Sequence, residues 1–209
     1  MTRNEFIAQI RRMYYGGIPT DDATLRAPEV NLYINQAIAY MAKVNYTDSI
    51  KLDGIENVND AFYSTFKGLT ISKDNDTGYY YATLPHPPLG LSRGYGIATV
   101  TFPVSTGLAK APIAISPREL EYIDQVKLPP SKIFYWCEGD KLYFKSYINL
   151  LTKQPIVRMI SAENTDLDAE LNVPPEYLPD MLNWIMQQLN ARRQMIGDSI
   201  KDGLDTTKL

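Results

Sequence analysis

Ile133-Phe-Tyr-Trp-Cys-Glu-Gly-Asp-Lys-Leu-Tyr-Phe-Lys-Ser146 reads as two aromatic-rich strands, Ile133–Glu138 and Lys141–Ser146. Gly139-Asp140 between them has the composition of a tight hairpin turn. This hairpin sets the character of the middle of the chain. From about residue 51 to 162, Tyr, Val, Ile, Thr and Phe rise, and Gly and Pro punctuate short runs. Further strands are expected at Phe62–Ser72, Gly78–Leu84, Gly96–Phe102 and Ile156–Ser161, with a turn over Asp74 to Gly78. Ser116-Pro-Arg-Glu119 has the form of a capping box with proline at the first helical position, so a short helix interrupts the strands there.

Outside this region the period changes from two to 3.6. Thr2-Arg-Asn-Glu5 is a capping box, and Phe6, Ile7, Ile10, Met13 and Tyr14 follow at helical spacing up to Gly16-Gly17. Pro28 suits the first turn of a second short helix, whose stripe is Val30, Tyr33, Ile34, Ala37, Ile38 and Met41. After Pro174-Pro175, Leu178, Met181, Leu182, Ile185 and Leu189 mark a long helix, with Gly197 as its expected stop. Strands cannot share the core of a helical bundle, so the two patterns imply separate layers. The expected fold class is α+β: a helical bundle of two N-terminal helices and a long C-terminal helix, carrying an inserted, mostly antiparallel β module. The corresponding domains are 1–50 (helical hairpin), 51–169 (β-rich insertion) and 170–209 (C-terminal helix and a polar, mobile tail from Asp198 to Leu209).

Composition narrows the function. The chain has 209 residues with 21 basic and 24 acidic side chains, a formal charge of -3. That excludes a strongly basic protein wrapping phosphates over its whole surface, but not an oligomer that surrounds DNA without gripping it. The single cysteine, Cys137, cannot form an intramolecular disulfide. No run approaches the ~20 apolar residues of a membrane span, and the start lacks the apolar core of a signal peptide. A soluble protein made in the cytoplasm is expected.

Searching the motifs for chemistry leaves no catalytic set, no cofactor and no metal site. Gly90-Leu-Ser-Arg-Gly94 matches a nucleophile elbow in letters, but prolines 85, 87 and 88 precede it and a strand follows it. The only histidine, His86, comes before the serine rather than after it. Asp74-Asn-Asp76-Thr-Gly78 and Asp166-Leu-Asp168-Ala-Glu170 alternate carboxylates like calcium loops, yet neither has the required glycine and glutamate placement. Gly94-Tyr-Gly96 lacks the third glycine of a dinucleotide fingerprint. The carboxylate pairs Glu119/Glu121 and Asp166/Asp168 are already accounted for by helix and turn chemistry.

The residues that remain point to contacts. Fifteen tyrosines are present, and Tyr79, Tyr80 and Tyr81 in one strand must face both sides of a sheet, directing at least one ring away from its core. Two basic pairs, Arg11-Arg12 and Arg192-Arg193, lie near expected helix C-termini, where the backbone dipole favours cations. They are the other candidates for subunit or phosphate contact.

The ordered pieces resemble a known family. Glu5-Phe-Ile-Ala-Gln-Ile-Arg-Arg12 is followed by Pro28-Glu-Val-Asn-Leu-Tyr-Ile-Asn-Gln-Ala37, Tyr80-Tyr-Ala-Thr-Leu-Pro85 and Gly94-Tyr-Gly-Ile-Ala-Thr-Val100. Gly139-Asp-Lys-Leu-Tyr-Phe144 and Pro174-Pro-Glu-Tyr-Leu-Pro-Asp-Met181 complete the order. This layout resembles phage head-to-tail connector proteins, the adaptor or ring proteins beneath the portal of short-tailed phages, crAss-like phages among them. The resemblance implies a virion protein of the neck, a ring homo-oligomer (commonly a dodecamer) around a DNA channel. Its partners would be the portal protein above and an adjacent ring or tail protein below, with DNA as passing cargo and no membrane. It also implies no catalytic residues, and a portal-docking tail corresponding to Asp198–Leu209. The competing expectation is a monomeric β-rich binding module for glycan or protein surfaces, with Tyr79–Tyr81, Trp136 and Trp184 as aromatic platforms.

Overall fold

The computed structural model describes residues 1–18, 25–91, 96–103, 111–125, 132–161 and 163–201. Helix α1 (Arg3–Tyr15) starts on the expected capping box: the Thr2 hydroxyl accepts from the Glu5 amide at 3.3 Å, and the Glu5 carboxylate accepts from the Thr2 amide at 2.8 Å. Gly16 closes it in the left-handed conformation. Helix α2 (Ala27–Asp53) is 27 residues long rather than short. From Glu29 to Asp53 there is neither glycine nor proline, so nothing halts propagation before Gly54. Helix α4 (Leu178–Lys201) passes through Gly197, so Gly197 is not the stop that the sequence suggested. A glycine within a helix costs only about 1 kcal/mol, too little to end a helix by itself.

The chain divides into two compact units, Met1–Phe62 with Asn164–Leu209, and Tyr63–Glu163. In the first, α1, α2 and α4 pack on one another. Phe6, Ile7 and Ile10 of α1 meet the stripe Val30, Ile34, Ala37, Ile38, Met41 and that of Met181, Ile185, Leu189, all buried. Each of these side chains except Ala37 contributes about 1.5–3 kcal/mol through removal from water. The two chain ends are also tied through the backbone. The Arg3 amide donates to the Ala169 carbonyl at 3.0 Å, Asn4 to Leu167 at 2.9 Å, and Leu171 to Met1 at 3.0 Å.

Among its described residues the second unit holds eight strands in two sheets, β1 (Ser64–Phe66), β2 (Ile71–Lys73), β3 (Tyr80–Thr83), β4 (Ile97–Thr101), β5 (Ile113–Ala114), β6 (Phe134–Glu138), β7 (Lys141–Lys145) and β8 (Ile156–Met159). One sheet has the order β1-β8-β4 and the other β2-β3-β7-β6-β5. Every pairing is antiparallel except β5 with β6, which are parallel and separated by helix α3 (Pro117–Gln125). A parallel neighbour requires such a crossover. The fold class is therefore α+β, a helical bundle with a mostly antiparallel β unit.

The run expected as one strand over Phe62–Ser72 is two. Phe62 closes a short 3-10 turn, β1 ends at Phe66, and Gly68 at φ +73° redirects the chain so that β2 joins the other sheet. Both sheets bury one face in a common core that includes Ile71, Ala82, Val100, Leu142, Phe144, Val157 and Met159. Among the described residues no helix is long and apolar enough to cross a membrane.

Candidate functional site

The five-stranded sheet buries alternate residues and turns the others outward. In β7 the burial runs exposed, buried, half-buried, buried, half-buried, so Leu142 and Phe144 enter the core while Lys141, Tyr143 and Lys145 do not. Register places Tyr81 opposite Tyr143 and Tyr143 opposite Trp136. The non-core face thus carries a row of rings across three strands. Trp136 and Tyr143 stack at 5.4 Å with 12° between planes, Tyr81 lies 6.1 Å from Tyr143, and Tyr79 meets Trp136 edge-on at 5.2 Å.

Lysines sit against these rings. Lys141 Nζ is 5.0 Å from the Tyr81 ring centre and Lys145 Nζ is 5.7 Å from that of Tyr79. The ring quadrupole attracts an ammonium in this position, by about 0.5–1 kcal/mol where water has access. The Trp136 indole N–H donates to the Glu138 carboxylate at 3.1 Å, which leaves the Trp136 ring buried with its polar atom satisfied.

At one end of the row a cleft of about 320 Å³ opens between strands and turn, lined by Lys73, Asp74, Asn75, Asp76, Tyr81, Lys141 and Tyr143. One side of it is the turn between β2 and β3. There the Asp74 carboxylate accepts from the Thr77 hydroxyl at 2.7 Å and the Asp76 amide at 3.2 Å. The Gly78 amide donates to the Asp74 carbonyl at 2.9 Å. The Thr77 hydroxyl, followed by the Asp76 amide and the Lys141 charge, holds the Asp74 carboxyl below its ordinary pKa. Asp74 is therefore ionised at neutral pH and engaged in holding the turn.

A second, more apolar cavity of about 690 Å³ is lined by Ile97 and Ala98 of β4, Ala114 to Pro117 and Glu119 around β5 and α3, and Tyr135 to Cys137 of β6. Burial raises the Cys137 thiol to about 11, helped by Asp140 and Glu138, so the sulfur is protonated at neutral pH and a poor nucleophile. The Glu119 carboxylate accepts from the Ser116 amide at 2.6 Å, the reciprocal half of the expected capping box.

Of the three consecutive tyrosines, Tyr79 and Tyr81 join the outer row, while Tyr80 packs against the core on the opposite face. Tyr143, Lys141 and Lys145 belong to the same surface and were not singled out by sequence. Their signal was present in the alternation Lys-Leu-Tyr-Phe-Lys, but only the β3–β7 register brings them beside Tyr81. Trp136 joins this row. Trp184 does not, being stacked on Tyr40 at 5.8 Å within the helical unit.

The arginines differ from one another. Arg12 lies in the last turn of α1. Arg11 is half-buried, with its Nε lacking a hydrogen-bond partner among the described residues. Arg192 is more than two turns from the end of α4, beyond reach of the terminal dipole, and pairs with Glu29 of α2 in the same chain. The Arg193 side chain and Ser92 lie outside the described residues, as do positions 202–209 of the expected docking tail.

A charged group with no distinguishing mark in the sequence is central to the helical unit. Arg3 is 4% exposed, and its guanidinium donates to the side-chain oxygens of Asn31 and Asn35, both at 2.7 Å. Those amides donate in turn to the Asn164 carbonyl, at 2.7 and 3.2 Å. Burial lowers the Arg3 pKa and the Asp166 carboxylate opposes that effect. Asp166 and Asp168, the second calcium-like pair, are likewise engaged. The Asp166 carboxylate accepts from the Asp168 amide at 3.0 Å, and Asn4 donates to Asp168 at 2.7 Å.

No protein-family model matches the chain, and no curated protein matches it in sequence.

Proposed function

We propose that this chain is a non-enzymatic structural subunit of an oligomeric ring in the neck of a tailed phage virion, joining the portal to the tail around the DNA channel. The observation that carries the reading is the chain order. A helical unit built from both ends of the chain is interrupted by a β unit, Tyr63–Glu163, the layout that the resemblance to connector proteins implies. Exposed apolar side chains on the helical unit add support. Leu32 (54%) and Ile50 (39%) of α2 are eighteen residues apart, five full turns, and so share one face. A ring subunit needs two different surfaces for its two neighbours, and scattered apolar side chains on a helix outside its core stripe suit one of them. The mild acidity, -3 overall, suits a wall past which DNA slides.

Particle mass tests the reading. Mass photometry of the protein alone and mixed with portal protein is expected to give a ring-sized species in at least one sample. A 23.7 kDa monomer in both would remove the ring reading.

The aromatic face of the five-stranded sheet favours a second reading, a monomeric β-rich module that binds a glycan or a protein surface. Under it, the mass stays monomeric and a ligand acts on Tyr81 and Tyr143.

A further inference from the structure

We propose that copies of this chain join head to tail, the β7–β8 connection of one copy seating Tyr147 and Leu151 on Leu52 and Ile55 of the next. The inference rests on the ring reading and names the two surfaces that the ring uses; the contact and the closure of the ring have separate readouts.

Charge is divided unevenly between the two units. The helical unit carries 10 basic and 16 acidic side chains, a formal charge of -6, and the β unit 11 basic and 8 acidic, a formal charge of +3. Two helical units set against each other repel, as do two β units, whereas a β unit attracts the helical unit of another copy. With one such contact between each pair of copies, every copy keeps its second surface open for a further neighbour, and the assembly extends until it closes.

Each unit also exposes apolar side chains where its own charge excess is local. On the helical unit Leu52 is 82% exposed, and Ile55 is exposed as well, on either side of Gly54, whose left-handed conformation ends α2. Residues 48–60 hold four acidic side chains and one basic. On the β unit the connection between β7 and β8 exposes Tyr147, at 66%, and Leu151. Residues 145–155 hold two lysines and no carboxylate. Lys132 is exposed two residues before Phe134, which is the register partner of Lys145. An apolar centre inside a charged rim is the anatomy of a protein contact, and rims of opposite sign decide which surfaces meet.

Both surfaces are held in shape before docking. In the connection Leu150 is fully buried in the core of the β unit, which fixes the position of Leu151 beside it. The Ile148 amide donates to the Ser146 hydroxyl at 3.0 Å, the Leu151 amide to the Asn149 side-chain oxygen at 3.0 Å, and the Lys153 amide to the Leu150 carbonyl at 2.9 Å. After Ile55 the chain is pinned by Val58, which is buried, and by the Asn59 amide, which donates to the Asn45 side-chain oxygen at 2.8 Å. A preformed surface loses less entropy on binding.

The test is sedimentation velocity of the full chain, from micromolar to millimolar concentration and at low and high salt. The expected result is species that grow past the dimer with concentration and shrink as salt rises. Leu52→Gln with Ile55→Gln makes one variant, and Tyr147→Gln with Leu151→Gln the other. Both change exposed side chains, so each is expected to keep the parent's circular dichroism and to weaken association about a hundredfold. Each variant retains the surface that the other has lost, so a mixture of the two is expected to form pairs of twice the 23.7 kDa monomer and nothing larger. Assembly unchanged in both variants overturns the inference and leaves the ring reading standing. A parent that stops at a dimer overturns it too, because a reciprocal pair occupies both surfaces at once, as does a mixture without pairs. A parent that stays monomeric at millimolar concentration overturns it whatever a mixture with portal protein gives. Open chains that lengthen without closing support the contact and count against the ring.

Discussion

In the helical unit, residues 1–62 and 164–209 must come together before a core exists, whereas the β unit is one continuous run with a core of its own. The difference extends to polarity. Among the described residues the buried polar side chains are Arg3 and Asn31, both in the helical unit. There a guanidinium bonded to two asparagines joins the start of α1, the first turns of α2 and the segment at Asn164. Apolar stripes alone tolerate sliding by a turn; a buried fork with fixed donors does not, because a slipped partner is left unsatisfied. The β unit sets its alignment differently, through strand registers in which a one-residue slip would turn Leu142 and Phe144 outward.

The chain's two tryptophans divide between the units, Trp136 in one and Trp184 in the other. Fluorescence during urea unfolding, with Trp184→Phe or Trp136→Phe as background, therefore reads each unit in turn. The largest effect is expected from Phe144→Ala. Phe144 is fully buried and packs on Phe102 at 5.8 Å, so its removal leaves a cavity costing about 3–5 kcal/mol, read by Trp136. A larger loss at Trp184 than at Trp136 would break the comparison.

Arg3→Ala comes next, at about 2–3 kcal/mol read by Trp184, because the Asn31 and Asn35 oxygens lose their donor while buried or half-buried. The triple variant Arg3→Met, Asn31→Leu, Asn35→Leu sharpens the point. If the network acts through alignment more than through energy, the triple variant recovers most of that loss, since an apolar replacement leaves no group unsatisfied. The smallest effect belongs to Glu29→Gln. Its partner Arg192 is half exposed, so the pair contributes about 0.5 kcal/mol, and the difference from the parent chain is expected to vanish at high salt.

Several elements were legible because their causes are local. The Thr2–Glu5 and Ser116–Glu119 caps need three residues of context, and the hairpin at Gly139-Asp140 needs a glycine that accepts φ +60°. That at least one ring of Tyr79, Tyr80 and Tyr81 faces away from the core was legible by alternation; that these are Tyr79 and Tyr81 was not. What they would face was not legible either, because Tyr143 and Trp136 are more than fifty residues away and arrive only through pairing of β3 with β7 and of β7 with β6. The split of Phe62–Ser72 between two sheets was hidden for the same reason: a short apolar run carries its period but not its partner. Arg3 was hidden most fully. In sequence it is one more polar residue inside a capping box, and nothing near it announces burial.

Composition, periodicity and caps were enough to establish an α+β chain with helices at its ends and strands between, because each depends on neighbours within a turn or a hairpin. The aromatic row, the cleft beside the β2–β3 turn and the buried Arg3 network came from tertiary structure alone. Each is assembled from segments far apart in the chain, and contacts of that kind are chosen by the burial and register of the whole fold, which no local pattern encodes.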